Sequence, residues 1–176
     1  MGIGAIGSWL CENLVADNRG QWNITVLDFD KVAERNIVGT QRYFIDDLDF
    51  LKTEALQLGL YKALGKEISI LSYKLTEFNV KGIIKDYDLI VDTFDNFDAR
   101  RVITMASRGI VECLHVGFSE NMTFAIEWND NYQVPSDITS NFDVCTLPGA
   151  SSFIKFVASL GALTVEEFLF NNKKFF

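Results

Sequence analysis

The sequence predicts an α/β fold: a doubly wound, mostly parallel sheet with helices on both faces and an antiparallel hairpin towards the C-terminal end. Three observations carry that prediction. Short, nearly all-apolar runs alternate with segments of helical periodicity, the pattern of βαβ units whose strands are buried on both faces. A glycine turn, Gly2-Ile3-Gly4-Ala5-Ile6-Gly7, leads directly into one of the helical segments. Acidic residues close two of the apolar runs, Asp28 after ITVL and Asp92 after LIV, and in open sheets of this kind ligands bind beyond the carboxyl ends of the strands.

In chain order, residues 4–17 place Ile6, Trp9, Leu10, Leu14 and Val15 at helical spacing. Residues 23–28 (NITVLD) read as a short buried strand, and residues 31–44 as a polar, irregular crossover. A long helix is expected over 46–64, with Leu48, Leu51, Ala55, Leu58 and Tyr61 along one side. A strand follows at 68–71, a short helix at 79–85, and then the clearest buried strand, 87–93 (YDLIVDT). Residues 96–108 are helical and 110–116 a strand; a turn over 117–120 leads to an alternating, half-exposed antiparallel partner at 121–128. Residues 129–150 hold both prolines and many Asp, Asn, Ser and Thr residues, and so form a long loop. Ser151 or Ser152 is expected to cap a final helix to about residue 170, and 171–176 form a tail.

At 176 residues the chain reads as a single domain, 1–176, long enough to bury a proper core. A net charge of −8 gives no basic footprint for a nucleic-acid partner. No apolar run reaches the length of a membrane span, so no membrane partner is expected. Cys11, Cys113 and Cys145 are odd in number and widely spaced, which argues against a disulfide framework and for a reducing cytoplasm. The lone His115 lies in an apolar strand run and reads as a packed or hydrogen-bonded core residue.

The glycines spell G-x-G-x-x-G, the fingerprint of a Rossmann-like nucleotide site. The first makes the tight turn, the second lets phosphates approach the backbone, and the third lets helix and strand pack closely. The helix N-terminus offers unpaired N–H groups to phosphate. Asp28 follows Gly7 by 21 residues, close to the spacing of a ribose-binding carboxylate. Such a fold places a strand ahead of its first glycine, yet only Met1 stands there, so the first strand is expected to be missing from a truncated or incompletely represented sequence.

Several stretches then fall into one pattern. GIGAIGS, LDFDKVAERN, Gln41 and Phe44, Lys52, VDTFDNFDAR, and CTLP before a closing helix together resemble the ThiF/MoeB/HesA family, the adenylating domain of ubiquitin-activating-type enzymes. The D-x-D-x-V run followed by Asn, and D-x-x-D-N-x-x-x-R after a strand, are far more specific than the glycines. The resemblance implies an ATP-dependent adenylyltransferase that uses Mg²⁺. Its substrate would be the C-terminal carboxylate of a small β-grasp carrier, ubiquitin-like or sulfur-carrying, ending in Gly-Gly. It implies a homodimer as well. By resemblance, Asp28 holds the ribose hydroxyls, Asn36 contacts phosphate, Lys52 neutralises phosphate charge and Asp95 holds Mg²⁺. Gly2, Gly4, Gly7, Asp30, Gln41 and Asn96 complete the nucleotide site, with Asp92 and Arg100 in support. Cys145, in the loop before the last helix, has two readings: a thiol that takes the acyl group as a thioester, or an ordinary half-buried cysteine beside Leu147.

The departures from the family pattern are specific. The usual Asn-Leu-x-Arg-Gln is replaced by Asn36-Ile37-Val38-Gly39-Thr40-Gln41-Arg42, one residue longer and without the arginine before the glutamine. Arg42 and Arg35 are the cations nearby. The glycine common three residues before the lysine is Asp49, and the zinc-binding cysteine pairs of many members are absent, so no zinc is expected. Two rival readings follow. A catalytically weakened nucleotide-binding or scaffold subunit fits the missing arginine and strand. An NAD-dependent dehydrogenase shares the glycine turn and Asp28 but leaves Lys52 and the DTFDN run unexplained.

Overall fold

A computed structural model of the chain describes residues 1–18, 21–119, 121–135 and 147–176. Strand β1 (Thr25–Leu27) pairs in parallel with β2 (Ser69–Leu71), and β3 (Leu89–Asp92) pairs in parallel with β4 (Glu112–Phe118). β4 turns back into antiparallel β5 (Phe124–Trp128). Helices cover both faces. Helices α1 (Ala5–Asp17) and α5 (Ala150–Asn171) pack over Val91, Leu114, Val116, Ile126 and Trp128. Beside them α2 (Lys52–Leu64) closes a second cluster around Val26, Leu56, Leu60 and Ile68. On the opposite face α3 (Val80–Ile84) and α4 (Phe97–Ser107) bury Leu27 and Cys113. Adjacent residues Val26 and Leu27 therefore enter different clusters, as strand alternation requires. The fold is the doubly wound, mostly parallel arrangement with a C-terminal antiparallel hairpin.

The two strand groups, β2–β1 and β3–β4–β5, meet at the amino end of the chain. The Met1 amino group donates to the Thr25 carbonyl (3.3 Å), and the Met1 carbonyl accepts from the Leu27 N–H (2.8 Å). One residue bonded to both neighbours of Val26 is the parallel ladder pattern. Next to it the Thr93 hydroxyl donates to the Gly2 carbonyl at 2.6 Å. Residues 1–3 thus join the two groups just ahead of the glycine turn. A small apolar cavity opens beside them, lined by Leu27, Leu75, Ile84, Leu89, Val91 and Ile103 among others.

Several boundaries differ from the sequence reading: β5 begins at Phe124 and not at 121, and four others differ for a local reason. The long helix expected from residue 46 begins only at Lys52: Ile45–Asp47 form a 3-10 turn, and Asp49 adopts φ 67, which no continuous right-handed helix can include. β4 runs two residues further than expected, to Phe118. Its register pairs Gly117 with Ala125 and Phe118 with Phe124, so Gly117 is a strand residue and the turn begins at Ser119. Its start is delayed by a turn through Gly109 (φ 70), in which Ile110 and Val111 both donate to the Ser107 carbonyl. Finally, α5 starts at Ala150 behind Gly149 without a side-chain cap, and the Ser151 hydroxyl donates to the Gly39 carbonyl (2.6 Å) instead. Among the described residues no helix is long and apolar enough to cross a membrane.

Candidate functional site

The glycine turn lies where β1, β3 and the 40–43 segment converge, and each holds it by a different bond. From β1, the Asp28 carboxylate accepts the Ile3 N–H (3.3 Å) through one oxygen and the Asp30 N–H (3.0 Å) through the other. From β3, Thr93 holds the Gly2 carbonyl and the Phe94 ring lies against Gly2, where a Cβ would come within 2.9 Å of it. From the 40–43 segment, the Tyr43 hydroxyl donates to the Ile3 carbonyl (2.8 Å) and the Arg42 N–H to the Ser8 hydroxyl (3.1 Å).

The three glycines differ in kind. A Cβ on Gly7 would overlap the Gly2 carbonyl oxygen and lie 2.7 Å from the Thr93 hydroxyl, so only glycine lets α1 pack this close to the turn. A Cβ on Gly4 would meet nothing within 4 Å among the described residues. Gly4 is also the N-cap of α1 and offers no side-chain cap, and the first turn carries no acidic residue. An open backbone ahead of an uncapped helix end is the cradle that a phosphate group fills.

Charged groups gather beside this turn. Lys52, the first residue of α2, is buried, and its ammonium reaches Asp30 Oδ2 at 3.3 Å while its N–H donates to the Asp30 carbonyl. That is one side-chain partner among the described residues for a group with three N–H donors, which leaves donors for an anion. Burial pushes the Asp28 carboxyl above its usual range, opposed by the Asp30 and Ile3 N–H groups and the charge of Lys52. Among the described residues the amide oxygen of Gln41 is buried without a hydrogen-bond partner, as is the Thr40 hydroxyl. Both sit on the segment that clasps the turn. An orphaned acceptor of this kind wants a donor from a ligand, such as a hydroxyl or amine. The cradle at Gly4 and these acceptors therefore fit a nucleotide.

The remaining candidates divide. Asn36 is buried, and its amide oxygen accepts the Ala33 N–H (2.8 Å), stabilising the turn after β1. Asp95 is exposed just beyond Phe94. Asn96 caps α4 by accepting the Ala99 N–H (2.9 Å). Asp92 is fully buried against His115, and Arg100 donates to the Tyr132 hydroxyl (2.8 Å). Of the two cations near the expected arginine, Arg42 is committed to Glu12 (2.8 Å) and lies over the Phe44 ring, whereas Arg35 is exposed. Gly39 in that stretch adopts φ 91. Asp49 stands in the left-handed region that glycine adopts freely and that Asp tolerates better than most residues. Cys145 lies outside the described residues. Cys11 and Cys113 are buried, and burial pushes the Cys11 thiol up to about 12 and the Cys113 thiol higher still, so neither is a nucleophile at neutral pH. Thr93, Tyr43 and Phe94, which hold the turn, were not singled out by the sequence. Thr93 and Phe94 fall inside the DTFDN run, but Tyr43 carries no signal that marks it.

The sequence profile of the ThiF family matches residues 1–173. The sulfur carrier protein adenylyltransferase of Thermus thermophilus is 30% identical over 109 residues, 61% of this chain and 39% of that protein. Among solved structures, E. coli MccB with ATP superposes with a TM-score of 0.74 at 20% identity, covering 97% of this chain and 55% of that one. PaaA gives 0.75 at 16% identity, covering 99% and 55%. The chain thus spans about two fifths of the curated relative and just over half of these structures.

Proposed function

The chain belongs to the ThiF family, and on that footing we propose that it binds ATP and adenylates the C-terminal carboxylate of a small β-grasp carrier ending in Gly-Gly. The observation that carries this reading is the open backbone at Gly4, with Lys52 and Asp28 gathered beside the same turn. The nucleotide phosphates lie against the uncapped start of α1. Asp28 accepts the ribose hydroxyls, and Gln41 takes a donor from the nucleotide. Lys52 and Asn36 face the phosphates.

In the reaction a carboxylate oxygen of the carrier attacks the α-phosphorus. The P–O bond to the β-phosphate breaks in line, pyrophosphate leaves, and an acyl-adenylate remains. The charge spreading over the phosphates in that step is what Lys52, buried and thus poorly screened, stabilises. Mg²⁺, which binds through one or two carboxylates plus substrate phosphates, would be held at Asp95 and supply further neutralisation of the leaving pyrophosphate. A homodimer is part of the proposal, because α5 leaves Phe156, Leu163, Leu169 and Phe170 exposed, more apolar surface than a lone helix face needs. The relative's name supports the carrier: the Thermus protein is a sulfur carrier protein adenylyltransferase.

Pyrophosphate exchange tests the reading. With ATP, Mg²⁺ and a Gly-Gly carrier, label passes from pyrophosphate into ATP, and Asp95→Ala abolishes the exchange. Measurable ATP binding without exchange for any carrier contradicts it. That result favours a nucleotide-binding subunit without its own chemistry, the reading to which the engagement of Arg42 by Glu12 points.

A further inference from the structure

Behind the glycine turn runs a buried polar chain that the adenylation chemistry does not use. His115 on β4 stands opposite Asp92 in the parallel register. Its Nδ1 is 2.8 Å from Asp92 Oδ2 and its Nε2 is 3.0 Å from Asn129 Oδ1. All three residues are buried, at 1%, 0% and 5% exposure.

The hydrogen bonds around them fix the direction of the chain. The Ser107 hydroxyl donates to the Ile103 carbonyl (2.8 Å), so its oxygen accepts from Asn129 Nδ2 (3.0 Å). Asn129 is thereby turned with its carbonyl oxygen towards Nε2 of the imidazole. The Tyr132 ring lies flat on the imidazole, with centroids 3.6 Å apart at 7°, and Arg100 holds the Tyr132 hydroxyl. The imidazole is therefore held at its far nitrogen and over its face while Nδ1 meets the carboxylate.

The second oxygen of Asp92 accepts the Phe94 N–H at 3.0 Å. Phe94 lies against Gly2, its neighbour Thr93 bonds the Gly2 carbonyl, and Asp95 follows. A polar trio inside an apolar strand run costs desolvation that Val or Leu would avoid, and through the Asp92 carboxylate it reaches this turn. We propose that His115 is a positioning residue: anchored by Asn129, it orients the Asp92 carboxylate, which sets residues 93–95 against the glycine turn. That the turn serves ATP rests on the function proposed above; that His115 sets its geometry does not.

The test uses His115→Leu, which removes the bond to Asp92, and His115→Asn, whose amide keeps a donor near the Nδ1 position. Two readouts are taken on the full chain, with folding checked by thermal melting. The first is amide hydrogen exchange of residues 2–5 and 93–96 without nucleotide; the second is the affinity for ATP with Mg²⁺. Exchange is expected to quicken about tenfold in His115→Leu and to stay close to wild type in His115→Asn, with ATP affinity falling about tenfold only in the former. Equal exchange in both variants at equal melting temperature overturns the proposal. Should His115→Leu fail to fold, Asn129→Leu replaces it and is expected to quicken the same amides; unchanged exchange there overturns the proposal equally. If the wild type binds no ATP while exchange responds as expected, the nucleotide reading fails and the positioning role stands.

Discussion

Asp28 follows β1 directly, with both carboxylate oxygens accepting backbone N–H groups and only 8% of its surface exposed. Burial is the largest influence on it and raises its carboxyl above the usual carboxylate range. A ribose hydroxyl needs the ionised carboxylate as its acceptor. As pH falls through that raised value the group protonates, and ATP affinity drops at a higher pH than an ordinary Asp would give. Titration calorimetry across the acidic range, with folding checked by circular dichroism, is expected to show a loss of about tenfold or more. Asp28→Asn should bind weakly and without that acidic limb. At this scale the sequence was partly legible. Asp28, Lys52 and the glycines stand out by spacing and type. Tyr43, the orphaned Thr40 and the grip of Thr93 on Gly2 depend on contacts between distant segments, and no local pattern encodes them.

The glycine turn and α1 act as one element, and their two open questions separate by substitution. Gly7→Ala sets a methyl into the Gly2 carbonyl, which is backbone and cannot step aside. It is expected to cost about 1–3 kcal/mol or more in chemical denaturation, by the overpacking of a tight helix–strand contact. Gly4→Ala meets no neighbour among the described residues, so its unfolding midpoint should stay near wild type while ATP binding weakens at least about tenfold, because the methyl would occupy the proposed phosphate cradle. A fall in stability equal to that of Gly7→Ala would show that Gly4 is structural. Elements of this kind were legible wherever composition and burial agree: LIVD at β3 and the periodicity of α1 both follow from their apolar residues. The start of α2 was not, since Leu48 and Leu51 continue a helical spacing through Asp49, whose backbone is left-handed. Periodicity records which side chains are apolar, and a single reversed φ leaves no trace in it.

Across the whole molecule, the two strand groups are joined by residues 1–3, and the same three residues begin the glycine turn. The site therefore sits on the seam of the sheet, where the chain order reverses and ligands of open α/β folds gather. The sequence disclosed this layout through the alternation of strands and helices. It could not disclose that Met1 would take up a ladder position against Val26, since one residue has no periodicity. It was equally silent on the apolar cavity that opens beside Met1 between β1 and β3. The central claim is that this seam is an ATP site. Equilibrium titration of the full chain with ATP and Mg²⁺, and in parallel with NAD, tests it most directly. The account predicts that ATP binds, that Lys52→Ala weakens it about tenfold or more through loss of a buried cation at the phosphates, and that NAD binds far more weakly. Tight NAD binding with no affinity for ATP would contradict it.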